Sequence, residues 1–246
     1  MILKTYNLSK FFGGLKALDG VSIQVPRKSL TLIIGPNGSG KTTLINTITG
    51  FYKANKGRVE FENEDITNLP PHKIFRKGIV RTFQIPRPFK KLTVIENMLI
   101  PLSNPGEKIW GAFRKNWVEF ERNSVKKAFN ILKFLNIDHL AFEISENLSG
   151  GQLRLLEIGR ALMVDAKLIV MDEPLAGVSP ALAHEILRKI RKLCESGVTF
   201  LIIEHRLDIV LDYADKIYVM GNGRIIAEGS KEVIEKPEVV EVYLGA

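Results

Sequence analysis

Residues 30 to 50 constrain this chain more than any other segment. Leu30 to Ile34 is a continuous apolar run with strand character, and a helical stretch from Thr42 to Ile48, stopped by Gly50, lies just beyond it. Between them stands Gly35-Pro36-Asn37-Gly38-Ser39-Gly40-Lys41-Thr42. A glycine-rich octapeptide leaving a strand and opening a helix is the setting of a phosphate-binding loop. Its glycines permit backbone angles that turn several N–H groups inward, at a helix N-terminus whose dipole favours anions. Lys41 adds a point charge for the β- and γ-phosphates of a nucleoside triphosphate, Thr42 offers a hydroxyl to Mg²⁺, and Thr43 joins the set of candidate nucleotide contacts.

Two further apolar runs end in polar chemistry. Leu168 to Met171 runs into Asp172-Glu173-Pro174, and Val198 to Ile203 runs into Glu204-His205. Between them Ala183, Ile186, Leu187, Ile190, Leu193 and Cys194 recur at helical spacing, with Arg188, Lys189, Arg191 and Lys192 expected outside and Gly197 as the stop. Strand, helix, strand implies a parallel sheet. Mg²⁺ keeps several waters and takes few protein oxygens, so Asp172 is the expected second donor beside Thr42. Glu173, next to it and free of the metal, is placed to polarise an attacking water.

Leu3 to Leu8, Val21 to Val25 and Arg58 to Phe61 are short, turn-bounded and partly alternating, as in an antiparallel layer. From about Pro86 to Gly151 the helical period dominates, as in Val125, Ala128, Phe129, Leu132 and Leu135. The expected fold is therefore α/β, with a mixed central sheet, an added antiparallel β layer and an inserted helical subdomain. Trp110, Phe113, Trp117 and Phe120 share one helical face of that insertion, a small core in preference to a docking surface.

Composition narrows the function classes. No apolar run approaches the roughly 18 to 20 residues that cross a bilayer, and Met-Ile-Leu-Lys-Thr-Tyr lacks the apolar stretch of a signal peptide, so a cytoplasmic protein is expected. The single cysteine, Cys194, cannot staple a fold and reads as a small buried hydrophobe. A formal charge of +8 would suit nucleic acid, anionic lipid or an acidic protein surface, but the basic residues are spread along the chain.

Leu148-Ser149-Gly150-Gly151-Gln152 precedes an apolar-rich helix from Leu153 to Met163. With the phosphate loop, Gln84 in Arg-Thr-Phe-Gln, Asp172-Glu173 and His205 in this order, the chain resembles the ABC ATPases over essentially its whole length. The resemblance implies a P-loop NTPase core with β layer over 1–85 and 153–246, and a helical subdomain over 86–152 that ends in the signature motif. It also implies ATP hydrolysis with Mg²⁺. Ser149, Gly150, Gly151 and Gln152 of one subunit would close on ATP held by the phosphate loop of another in a head-to-tail dimer. By the same resemblance Gln84 contacts Mg²⁺ and water, His205 contacts the γ-phosphate as a switch residue, and Phe12 stacks on adenine, with Phe11 as the competing aromatic.

After Glu173 the chain reads Ala176-Gly177-Val178-Ser179 where many members read Ser-Ala-Leu-Asp, so the carboxylate of that loop is missing. This variant, with Leu92-Thr-Val-Ile-Glu-Asn, Ile203-Glu-His-Arg and Val242-Tyr243-Leu244-Gly245, is similar to ATP-binding subunits of branched-chain amino-acid importers. Such a subunit works beneath membrane permease subunits on the inner face of the membrane, beside an identical or paralogous ATPase subunit and, indirectly, a solute-binding protein. The ATPase of lipopolysaccharide export, with a similar Ala-Gly-Val loop, is the alternative within transport. A soluble ABC ATPase of nucleic-acid metabolism is the alternative outside it; one copy of each motif and a short insertion argue against that, and no nucleic acid is expected. Asn55-Lys56-Gly57-Arg58 lacks the final aspartate of a guanine-reading motif.

Overall fold

The computed structural model describes residues 1–82, 87–103 and 116–244. Gln84, Trp110 and Phe113 lie outside the described residues. The chain forms two compact units, Met1–Gln84 with Lys167–Ala246, and Ile85–Ala166.

The first unit opens with β1 (Leu3–Phe12), β2 (Leu15–Val21) and β3 (Gln24–Val25), followed by β4 (Leu30–Ile34), α1 (Lys41–Ile48), β5 (Lys56–Phe61), β6 (Glu64–Asp65), α2 (Pro71–Arg76) and β7 (Ile79–Arg81). The antiparallel layer has the order β2-β1-β5-β6, with β3 also on β1. β1 runs four residues past the expected Leu8, and register shifts along its pairing with β2 break the alternation that would have revealed its far half.

In the second unit lie α3 (Val94–Leu99), α4 (Asn116–Phe134) and α5 (Gly150–Met163). Thr93 caps α3 in a reciprocal box with Glu96. α4 presents Ala128 and Leu132 to a fully buried core that includes Met98 of α3, and α5 adds Leu156 and Ile158. Because α5 packs on α3 and α4, this unit reaches Ala166, beyond the Gln152 boundary expected from sequence. Trp117 is 37% exposed, and Phe120 lines a groove of about 460 Å³ with Leu92, Leu99 and Ile100. The described part of the aromatic stripe is thus half in solvent instead of forming a small core.

The chain returns to the first unit with β8 (Leu168–Asp172), α6 (Pro180–Glu195), β9 (Thr199–Ile203), α7 (Leu207–Val210), β10 (Lys216–Gly221), β11 (Arg224–Gly229) and α8 (Pro237–Leu244). The second sheet has the order β11-β10-β4-β9-β8-β7, parallel except for β11. Every residue of β4, β8 and β9 is buried, as their unbroken apolar runs require. The α/β class, the mixed sheet and the added antiparallel layer match the expectation from sequence. Lys189 departs from it: the side chain lies 9% exposed along α6, with Nζ 3.4 Å from Glu185 Oε1, because its long stem covers apolar surface while its head reaches a partner one turn away. Among the described residues no helix is long and apolar enough to cross a membrane.

Candidate functional site

The loop after β4 is moulded from outside as well as by its own glycines. Gly35 adopts φ +147°, and a methyl group there would stand 2.2 Å from the carbonyl oxygen of Met220 on β10. The turn Asn222-Gly223 between β10 and β11 reaches the loop's middle: Gly223 N–H donates to Ser39 O at 3.0 Å, while Asp19 N–H of β2 donates to Gly223 O at 2.9 Å. The Lys41 ammonium donates to Gly35 O and Pro36 O, each at 2.8 Å, so the loop's own carbonyls hold the charge that would face phosphate. Burial pushes the Lys41 amine below its ordinary range, opposed by the nearby Glu173 and Asp172 carboxylates.

Above the loop lies an open cleft of about 480 Å³. Asn37, Gly38, Gly40, Lys41, Thr42 and Thr43 form its floor, and Phe12, Glu173 and His205 line its wall. Phe12 is 42% exposed, with the Tyr52 ring edge-on at 5.2 Å and Lys10 Nζ 4.8 Å from its centroid. Phe11 is not part of the wall; its N–H is tied to Asn55 Oδ1 at 2.8 Å.

Asp172 ends β8 almost fully buried, and burial raises its carboxyl above the usual range, opposed first by the Arg81 guanidinium. Arg81 Nη2 lies 3.6 Å from Asp172 Oδ2, Nη1 bonds Asn46 Oδ1, and the guanidinium sits 5.2 Å from the Phe51 ring. Thr42 and Asp172 suit Mg²⁺, a hard cation needing few protein oxygens beside phosphate and water. Groups of three or more His, Cys, Asp or Glu that could hold a metal do not occur among the described residues.

Glu173 has φ +49°, a left-handed conformation that costs a non-glycine residue energy and here aims the carboxylate into the cleft. Its N–H donates to Ile203 O at 2.9 Å, and His205 Nε2 lies 2.8 Å from Glu173 Oε1. An ionised carboxylate only accepts, so that imidazole nitrogen carries the proton.

In the second unit Ser149 caps α5: its hydroxyl accepts from Gln152 N–H at 3.3 Å and its N–H donates to Gln152 Oε1 at 2.8 Å. Ser149 and Gly150 are exposed, Gly151 is buried and Gln152 is half-buried. Gln152 is therefore engaged in ordering the helix start that it was expected to lend to a ligand.

The cleft also uses Lys16, Ala17, Asn222 and Gly223, which sequence reasoning did not select. Asn-Gly between two strand-like runs marks a hairpin turn, but nothing in the sequence says that the turn lands on Ser39.

Residues 18–176 match the family described as ABC transporter. The probable branched-chain amino acid transport ATP-binding protein LivG of Archaeoglobus fulgidus is 60% identical over 246 residues, covering 100% of this chain and 96% of that protein. A nucleotide-free ATP-binding cassette from an ABC transporter superposes with a TM-score of 0.88 at 57% identity, over 100% of this chain and 99% of the other. A dimeric ATP-binding cassette in a post-hydrolysis state, bound to ADP and Pi, gives 0.77 at 26% identity, over 94% and 99% of the two chains. A cleft floored by the phosphate loop and walled by an acid and a histidine, on a fold shared along its whole length with such cassettes, places this chain in the ABC transporter family as an ATP-binding, ATP-hydrolysing subunit.

Proposed function

We propose that this subunit drives uptake of branched-chain or similar amino acids through a membrane permease, with ATP held between two ATPase subunits. The meeting of Glu173 and His205 at the cleft floored by the phosphate loop carries the catalytic part of this reading. The full-length likeness to a branched-chain amino acid transport protein supports the solute class.

The β- and γ-phosphates of ATP rest in the loop Gly35 to Thr43, whose backbone N–H groups from Asn37 onward donate to them, with adenine against Phe12. Lys41 leaves the carbonyls of Gly35 and Pro36 for phosphate oxygens. Glu173 orients a water in line with the γ-phosphate and receives its proton, while His205 stabilises charge on the transferred γ-phosphoryl group as ADP leaves. Thr42, Asp172 and, outside the described residues, Gln84 would hold Mg²⁺, which when bound neutralises phosphate charge. The exposed start of α5, with Ser149 and Gly150 foremost, meets the γ-phosphate held by the partner subunit. The permease, a second identical or paralogous ATPase subunit and an indirectly linked solute-binding protein complete the assembly at the inner face of the cell membrane.

Glu173→Gln should bind ATP normally, lose hydrolysis and accumulate as an ATP-bound dimer by light scattering. A variant that stays monomeric and turns over ATP at the parental rate would remove the catalytic assignment. Solute identity is read by reconstituting the subunit with its permease and measuring ATP-dependent uptake of leucine against an unrelated sugar; sugar uptake without leucine uptake refutes the amino-acid assignment.

A further inference from the structure

The residues on either side of His205 have no part in the reaction just described, yet both are bound to the loop that follows Glu173. Glu204 is 2% exposed. One carboxylate oxygen accepts from Leu175 N–H at 2.7 Å. The other accepts from the backbone N–H groups of His205 at 3.0 Å and Arg206 at 3.4 Å. Arg206 Nη1 in turn donates to Val178 O at 2.8 Å. The turn 175–178 is thereby fastened at both ends, Leu175 by its donor and Val178 by its acceptor, to the two neighbours of the histidine. Between these anchors Ala176 and Gly177 face solvent.

This arrangement stands where the chain lacks the usual loop carboxylate. Ser179, at the expected carboxylate position, is occupied as the N-cap of α6, accepting from Leu182 N–H at 3.4 Å. A buried carboxylate with three N–H donors is a rigid junction, because removing an acceptor leaves donors unsatisfied in a dry site. Glu173 N–H on Ile203 O closes the circuit, so the acid, the loop behind it and the histidine form one hydrogen-bonded piece.

We propose that Glu204 and Arg206 are positioning residues that couple loop 175–178 to His205, so that contact on the exposed Ala176-Gly177 turn is transmitted to the distance between His205 and Glu173. The inference rests on the proposed roles of Glu173 and His205 in hydrolysis. It assigns neither Glu204 nor Arg206 a contact with nucleotide.

The test is steady-state ATP hydrolysis by the full chain, with binding of a fluorescent ATP analogue and thermal midpoints measured in parallel. In Glu204→Gln the amide must point its NH₂ at one set of backbone donors. The expected result is a fall in kcat of about tenfold with KM within about twofold of the parent, the signature of a group acting after binding. In a His205→Ala background, Glu204→Gln should have no further effect, because coupled residues are non-additive. Arg206→Met should lower kcat in the same manner, and Arg206→Lys, which keeps a donor for Val178 O, should restore most of it.

An unchanged kcat in Glu204→Gln overturns the proposal. So does an equal fall in the presence and absence of the histidine, or a joint loss of nucleotide binding and thermal midpoint. If Glu204→Gln does not fold, the Arg206 pair decides: parental kcat in Arg206→Met, or no difference between Met and Lys, refutes the coupling. If Glu173→Gln and His205→Ala both hydrolyse ATP normally, the catalytic reading fails and this inference falls with it. If both turn over ATP far more slowly than the parent while the Arg206 and Glu204 variants are normal, only this inference fails.

Discussion

Two glycines three positions apart in the phosphate loop should respond to the same substitution in opposite ways. At Gly38 the backbone has φ +78° and a methyl group would meet no atom within 4 Å. Gly38→Ala therefore costs only the left-handed conformation, about 1–2 kcal/mol. For a chain of this size that is a fall of about 2–8 °C in thermal midpoint. The new methyl, however, enters the cleft that Gly38 helps to floor, where a ligand needs close approach to backbone. Nucleotide affinity should fall at least about tenfold, equivalent to ~1.4 kcal/mol.

At Gly35 the balance reverses. The conformation at φ +147° costs an alanine about 1–3 kcal/mol. The methyl group also stands 2.2 Å from Met220 O and 2.9 Å from Ser39 Oγ. Met220 is a fully buried strand residue, so relief requires β10 to move against β4, with an overpacking cost of about 1–3 kcal/mol more. Against a total stability of about 5–15 kcal/mol, Gly35→Ala should lower the midpoint by on the order of 10 °C or more. Scanning fluorimetry and titration with a fluorescent ATP analogue separate the two losses. Equal midpoints for the two variants, or parental affinity in Gly38→Ala, would refute the reasoning.

Phe12→Ala should weaken ATP by about tenfold through loss of a stacking face worth about 1–1.5 kcal/mol, and leave inorganic triphosphate binding unchanged; equal loss for both ligands would mean that Phe12 shapes the loop and does not read the base. Cys194 is 1% exposed, and burial pushes its thiol up to about 12. Because thiolate is lost below a raised pKa, only about 10⁻⁴ of it is reactive at pH 8, so a disulfide reagent should label the native protein far more slowly than the unfolded chain, and rapid stoichiometric native labelling contradicts the burial.

What could be read from sequence was set by how local the determinants are. β4, β8 and β9 are five-residue strands buried on both faces, so their positions stand out as unbroken apolar runs, with Asp172 and Glu173 at one run's end. The edge of the antiparallel layer was less visible: Leu15 is 67% exposed and the β1–β2 pairing shifts register, so neither alternation nor apolar content marks Ser9 to Phe12 and Leu15 to Leu18 as strand. Arg81, Glu204 and Arg206 stood in the sequence as motif positions without a role, for another reason. Each is defined by a partner distant in sequence, Asp172, Leu175 and Val178 respectively, and no periodicity signals such a pairing. Lys189 obeyed helical spacing yet was buried, since spacing fixes where a side chain starts and not where a long one ends.

The position of β4 in its sheet bears on how the protein is made. Its two neighbours, β9 and β10, come from the last quarter of the sequence, and the clasp on Ser39 comes from Gly223. A nascent chain that has left the ribosome only as far as α1 holds β4 and every residue of the phosphate loop but neither of the strands that flank β4 in the sheet. Because long-range pairings form late and at an entropic cost, nucleotide can select the native loop only once β10 and its turn have emerged. The first motif translated is thus among the last to become functional, and ATP added during synthesis should protect the chain from protease only after residue 223 is exposed.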